Sequence, residues 1–292
     1  MRKRKSGQVA DLRTLTIHDI RQAKKLSDAE KWNQTEKDWE LIISKPGNVC
    51  LAAETNGKII GTAAAMNYEN EVAWIGMVLV DREFRGQGIS KLLLTGLLEQ
   101  LKSCRSVKLD ATPAGQKVYP KFGFREEYLI HRMTIESVET ATLKAECDGS
   151  LEPLQPDDIP EVIEYDRRVF GTDRKFLLEF LVENYPEYAW VLKREGRING
   201  FALGRKGTRF NQVGPVMAST TEEATKLMLK LLICLEGKPV VTDILDDKRD
   251  LTEWLYAAGF VKQRHFIRMY RNENPFPGIP ENQFLICGPE LG

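Results

Sequence analysis

The chain repeats itself, which limits its folds to those that one duplicated unit can build. Leu12, Leu15, Asp19 and Ile20 return as Leu151, Leu154, Asp158 and Ile159. The stretch N-G-K-I-I-G-T-A at 56–63 returns as E-G-R-I-N-G-F-A at 195–202, and I-G-M-V-L-V at 75–80 returns as V-G-P-V-M-A at 213–218. Gly123-Phe124 with Arg132-Met133 returns as Gly259-Phe260 with Arg268-Met269. The offset is 139 residues at Gly57 and 136 at Gly123, so the second copy is shorter by three between these landmarks. A length of 292 residues suits two medium domains.

Local patterns outline the unit. A short strand, L-R-T-L, leads to a helix start at Asp19 and a helical region through roughly Ile43. Trp32 and Trp39, seven apart, fall on one face of that helix. Asn56-Gly57 is a hairpin turn between strands at 49–53 and 58–66. A strand at 72–80 runs into a charged turn and then a helix with apolar Ile89, Leu92, Leu93, Leu97 and Leu101. A strand at 107–111 follows, and the strand Arg125 to Ile135 closes the first unit.

The most informative stretch runs from Ile75 to Lys91. A strand, a glycine-bearing turn and a helix start present free N–H groups and a favourable dipole to an anion such as phosphate. The dinucleotide pattern G-x-G-x-x-G and the P-loop pattern G-x-x-x-x-G-K-[ST] are both absent. What stands here is R-x-x-G-x-S, from Arg85, Gly88 and Ser90. It resembles the acetyl-CoA pyrophosphate loop of the GNAT superfamily of N-acetyltransferases, [QR]-x-x-G-x-[GA], with Ser90 at the last position. Residues 112–124, T-P-A-G-Q-K-V-Y-P-K-F-G-F, resemble a second GNAT signature, N-x-x-A-x-x-x-Y-x-x-x-G-F, with Thr112 for Asn and Gly115 for Ala.

The resemblance implies an α/β fold: two tandem GNAT-like domains, each a mixed, mostly antiparallel sheet flanked by helices. It implies that Val78, Leu79 and Val80 pair with the pantetheine arm of acetyl-CoA, with the Val78 N–H on the thioester carbonyl. Arg85, Gly86, Gln87, Gly88, Ile89, Ser90 and Lys91 then take the pyrophosphate, Lys91 being equally a solvated helix residue. Tyr119 lies near the sulfur, where a phenol can protonate a leaving thiolate. Many relatives carry a Glu eleven residues before the loop's first residue, and here that position is Trp74. The nearby acids are Glu69, Glu71 and, on the next strand, Asp110. Glu71 would act through water if a bulge turned it inward, and a water chain is the alternative to any of them. Trp74 suits a wall of the acceptor pocket. Trp32 and Trp39 suit either a lid over the acceptor or plain core packing.

The second copy lacks this equipment. Its loop, S-T-T-E-E-A-T-K after Ala218, has no glycine or arginine, and Thr220-x-x-Glu223 reads as a capping box. Leu255 stands where Tyr119 stands in the first copy, with Tyr256 one place off. We therefore expect a basic tail at 1–7, an active GNAT domain at 8–136, a linker at 137–149 and a degenerate GNAT-like domain at 150–292. The tail at 272–292 is expected to pack on the second domain, with F-L-I-C as a final strand.

Composition narrows the rest. The 42 basic and 42 acidic residues cancel, so no global field draws the chain to nucleic acid. No run approaches the ~18 apolar residues of a membrane span. Five scattered cysteines form no metal spacing or disulfide framework and fit the reducing cytoplasm. The expected function is acetyl-CoA-dependent N-acetylation of a primary amine on a small molecule or peptide, by direct transfer in a ternary complex. The alternative is a non-catalytic acyl-CoA-binding or interaction protein.

Overall fold

The computed structural model describes residues 10–143 and 150–292. The basic tail at 1–7 and residues 144–149 of the expected linker lie outside the described residues. The first copy runs β1 (Asp11–Thr14), α1 (Ile20–Ala29), α2 (Glu36–Ser44), β2 (Val49–Thr55), β3 (Lys58–Tyr68), β4 (Val72–Val80), α3 (Ile89–Gln100), β5 (Ser106–Ala111), α4 (Pro113–Gln116) and β6 (Arg125–Ile135). The second repeats this order as β7 (Leu151–Pro153), α5 (Ile159–Phe170), α6 (Lys175–Asn184), β8 (Trp190–Arg194), β9 (Arg197–Arg205), β10 (Asn211–Ala218), α7 (Thr221–Cys234), β11 (Val240–Leu245), α8 (Arg249–Ala257) and β12 (Val261–Asn272). One further strand, β13 (Gln283–Leu285), has no counterpart in the first copy.

The repeated hairpins share their backbone chemistry. Asn56 and Gly57 sit at φ +50° and +74°, and Glu195 and Gly196 repeat both values, the positive-φ pair that a two-residue hairpin needs. The early helical region, by contrast, is not one helix. Lys31 takes φ +57°, and Thr35 opens a new helix by accepting from the Asp38 N–H while Asp38 accepts from the Thr35 N–H. Trp32 therefore lies in the connector and Trp39 in α2, and the shared helix face expected for them does not form.

The thirteen strands of the described residues join one sheet, in the order β1-β2-β3-β4-β5-β12-β6-β11-β13-β10-β9-β8-β7. Apart from the inserted β13 the order is symmetric about the β12–β6 pair, where the sixth strands have changed places. β6, expected to close its own unit, pairs instead with β11 of the second copy, Arg132 lying opposite Asp243. β12 pairs with β5 of the first copy, Arg268 lying opposite Asp110, and β6 and β12 pair with each other. Each junction carries a buried two-point ion pair. Arg132 meets Asp243 at 2.8 Å through both contacts, and Arg268 meets Asp110 at 2.9 and 3.0 Å.

Helices cover both faces of this sheet. α3 buries Leu93, Leu94 and Leu97 against β2, β3 and β4, and α7 buries Leu227, Met228, Leu231 and Leu232 in the equivalent place. The tail forms the expected final strand but reaches further than expected. Beyond β13 it crosses to the first copy, where Trp74 Nε1 donates to Pro289 O at 3.1 Å and the Tyr68 hydroxyl to Leu291 O at 2.6 Å.

Candidate functional site

β4 and β5 run parallel but pair only from Val72 to Ile75, opposite Ser106 to Leu109. Past Ile75 they part, and the gap opens into a cavity of about 800 Å³. Six consecutive β4 residues, Ile75 to Val80, line it. Met77 takes φ +53°, its carbonyl accepts from Thr62 Oγ1 at 2.8 Å, and the β3–β4 register slips beside it. The bulge turns the strand so that the backbone around Val78 faces the gap.

At one side of the gap the chain enters α3. Gly88 is the N-cap, at φ +86°, and a side chain there would be strained in the left-handed region. The first α3 amide with a backbone partner is Leu92, donating to Gly88 O at 3.0 Å. None of the amides from Gly86 to Lys91 donates to a protein acceptor among the described residues. Six adjacent free N–H groups at the positive end of a twelve-residue helix make a strong anion cradle. Arg85 stands beside it, paired with Glu30 at 2.7 Å and bonded to Val80 O at 3.1 Å. Against its burial, Arg82 and Arg85 hold the Glu30 carboxyl below its ordinary range. Gly86, Gly88, Ile89 and Ser90 line the cavity, while Gln87 and Lys91 are exposed beside it.

Tyr119 lines the same cavity, with its ring edge-on to Phe124 at 5.8 Å between centroids. Burial pushes its phenol up to about 12, so it carries its proton at neutral pH. Its hydroxyl has no hydrogen-bond partner among the described residues.

The remaining candidates fare differently. Trp32 lines the cavity. Trp39 does not: it is fully buried, with Nε1 on Ser27 Oγ at 3.4 Å, and is core. Trp74 is no wall of the cavity either. It packs against Phe170 and under the Arg268 guanidinium, behind β4. Glu71 is spent elsewhere, accepting from Thr172 Oγ1 of the second copy at 2.7 Å, and it does not reach the cavity. Asp110 does line the cavity, but Arg268 occupies both its oxygens, which makes it a structural partner rather than a free base.

Sequence reasoning missed several cavity residues: Gln34, Arg132, Arg264, Phe266 and Glu290. Arg264 and Phe266 come on the exchanged strand β12, and Glu290 on the tail that crosses over after β13. Glu290 is buried against β4. Its Oε1 pairs with Arg205, whereas Oε2 has no protein partner among the described residues. The motif in the second copy does not mirror this site. β10 and β11 also pair only briefly, from Asn211 to Val213, but β13 fills the gap that follows, with Leu285 opposite both Val216 and Ile244. The start of α7 is self-satisfied: Glu223 Oε2 accepts from the amides of Ser219 and Thr220, and Thr220 Oγ1 from that of Glu223. Leu255 is fully buried and Tyr256 faces solvent.

A strand splayed at a bulge, followed by a helix whose free amides face a cavity, is found in the first copy, and the chain belongs to the GNAT acetyltransferase family with two GNAT domains in tandem. Residues 14–124 match the Acetyltransferase (GNAT) family and residues 162–285 the Acetyltransferase (GNAT) domain. It is an acyltransferase enzyme. The chain is similar to the uncharacterized N-acetyltransferase YitH of Bacillus subtilis (strain 168), at 26% identity over 78% of this chain and 79% of the relative. It is also similar to the holothin acyltransferase of Pseudoalteromonas sp. (strain SANK 73390), at 26% identity over 90% of this chain and 88% of the relative. A crystal structure from Pyrococcus horikoshii shares the fold across 100% of this chain and 99% of its own, with a TM-score of 0.81 at 22% identity. GNAT proteins generally use acetyl-CoA, and no helix among the described residues is long and apolar enough to cross a membrane.

Proposed function

We propose that the chain is an acetyl-CoA-dependent N-acetyltransferase whose first copy binds the cofactor and acetylates a primary amine directly. The observation that carries this reading is the row of free amides from Gly86 to Lys91 beside the open gap between β4 and β5. The amides and Arg85 take the pyrophosphate, and the free edge of Val78 to Val80 takes the pantetheine arm as an added strand. The Val78 N–H then polarises the thioester carbonyl.

In the transfer step the amine nitrogen bonds to the carbonyl carbon and the carbon–sulfur bond breaks. The leaving thiolate takes the phenol proton of Tyr119. The proton shed by the attacking nitrogen passes to Glu290, whose free Oε2 supplies the carboxylate that Trp74 denies to β4. Solvent then returns Tyr119 and Glu290 to their starting states. Glu290 thus removes the main support for a non-catalytic acyl-CoA-binding protein, the absence of an acid at position 74.

A calorimetric titration with acetyl-CoA, followed by thiol release with primary amines, tests the reading. One site per chain and amine-dependent release are expected. Two sites would mean that the second copy binds cofactor despite β13, and no binding at millimolar ligand would end the acetyltransferase reading.

A further inference from the structure

Of the buried side-chain nitrogen and oxygen atoms left without a hydrogen-bond partner among the described residues, two belong to the cavity wall: Gln34 Oε1 and Arg264 Nε. One accepts and the other donates. A buried polar group without a partner loses the hydrogen bonds it had in water, so a site that keeps two of them is shaped for something polar that binds there.

Both are held in place by the framework. Gln34 is 5% exposed, in the connector between α1 and α2. Its neighbour Asn33 accepts from the Arg209 and Phe210 amides and donates to Phe210 O, and the carbonyl of Gln34 accepts from Thr208 Oγ1. The connector is therefore clamped to the β9–β10 hairpin of the second copy. Arg264 stands on β12 directly opposite Arg132 on β6, with its guanidinium 5.3 Å from the centre of the Phe266 ring.

The charges around the cavity leave Arg264 alone. Arg132 is neutralised by Asp243, and Arg85 is paired with Glu30. Arg264 has no acidic partner within ion-pair distance among the described residues. Burial, and next the charge of Arg132, press it down to about 10, so it remains charged at neutral pH in a place that wants an anion. One unpaired positive charge matches a carboxylate. A phosphate monoester, at about −1.5 to −2, would bring a surplus.

We propose that the acyl acceptor is a small amine that also bears a carboxylate, an amino-acid-like molecule. Its acid group pairs with Arg264 and its amine N–H donates to Gln34 Oε1. The proposal rests on the acetyltransferase reading and adds the class of acceptor. It also gives the second copy a role in the reaction: it lends the strand that recognises the acceptor.

The test uses the full chain, acetyl-CoA, and pairs of free amino acids and their carboxamides, read by thiol release. The free acids should exceed their carboxamides by about 10- to 100-fold in kcat/KM, the size of a lost charge-assisted pair. Arg264→Gln should erase that preference mainly through KM, Arg264→Lys should keep part of it, and both should bind acetyl-CoA as the wild type does. Equal or better use of carboxamides, or a preference that survives Arg264→Gln, would overturn the proposal. A second readout needs no turnover: free amino acids should raise the melting temperature of the CoA-saturated wild type more than carboxamides do, and should not do so in Arg264→Gln. If acetyl-CoA fails to bind, the acetyltransferase reading falls, and the melts without cofactor still decide the anion contact. If neutral amines are acetylated while acids give no shift, this proposal alone falls.

Discussion

Arg268 on β12 grips both carboxylate oxygens of Asp110 on β5, across a junction between strands 158 residues apart in the chain. Both side chains are buried, and the pair sits on the cavity wall without being free to move a proton. Asp110→Asn would leave a buried guanidinium half-paired. Breaking such a pair costs about 3–5 kcal/mol. Urea unfolding should show this loss, while kcat per folded molecule, measured at low temperature, should stay near wild type. A base would show the reverse pattern.

Gly76 has no room for a side chain. A Cβ there would fall 2.8 Å from both Cα and Cβ of Glu290. Gly76→Ala should push the tail off β4, lowering stability by roughly 1–3 kcal/mol. It should also reduce kcat, because Glu290 moves with the tail, while acetyl-CoA affinity in calorimetry changes little.

Tyr119→Phe and Glu290→Gln separate the two proton steps. Each should lower kcat by about 10²- to 10⁴-fold with acetyl-CoA affinity retained.

Gly88→Glu should abolish acetyl-CoA binding. It places an L side chain at φ +86° and a carboxylate at the positive end of α3, where the proposed function puts the pyrophosphate. The fold should persist, since a Cβ at Gly88 meets nothing within 4 Å. Circular dichroism alongside calorimetry checks both parts.

Asp19 predicts one acid transition. The hydrogen bonds from Arg13 hold its carboxyl down to about 2 from the ordinary 3.8. A depressed carboxylate adds stability above its unfolded pKa and loses it as pH falls through the folded one, here between about pH 4 and pH 2. The contribution is on the order of 2 kcal/mol, and Asp19→Asn should flatten that part of the stability–pH curve.

The local parts of this fold were legible and the long-range ones were not. The turn that opens α3 and Tyr119 lie in contiguous stretches whose residue types carry their own geometry, and both line the cavity. The unit's element order followed from repeated hairpins and periodic helices. The exchange of β6 and β12 left no trace because both strands carry Arg-Met at the same register and face Asp110 or Asp243 alike. Either sixth strand would satisfy either fifth strand, and the choice is made by packing. Glu290 and Arg264 were missed for the same reason: Glu290 lies 171 residues from Tyr119 on the tail, and Arg264, 145 residues from Tyr119, reaches the cavity only on the exchanged strand. Trp74 misled because strand position gives the face of β4 but not what covers that face, which is the tail and Arg268.

The exchanged strand also sets a clock on synthesis. Ser106 on β5 waits for Asn272 on β12, its partner in the sheet. At about 5–20 residues per second, the ribosome needs on the order of ten to thirty seconds to make the intervening chain. Throughout that interval the β5 edge is open to β6 of its own copy, whose Arg132 suits Asp110 as Arg268 does, a pairing the finished sheet does not keep. A chaperone that shields strand edges should therefore raise the yield of this chain.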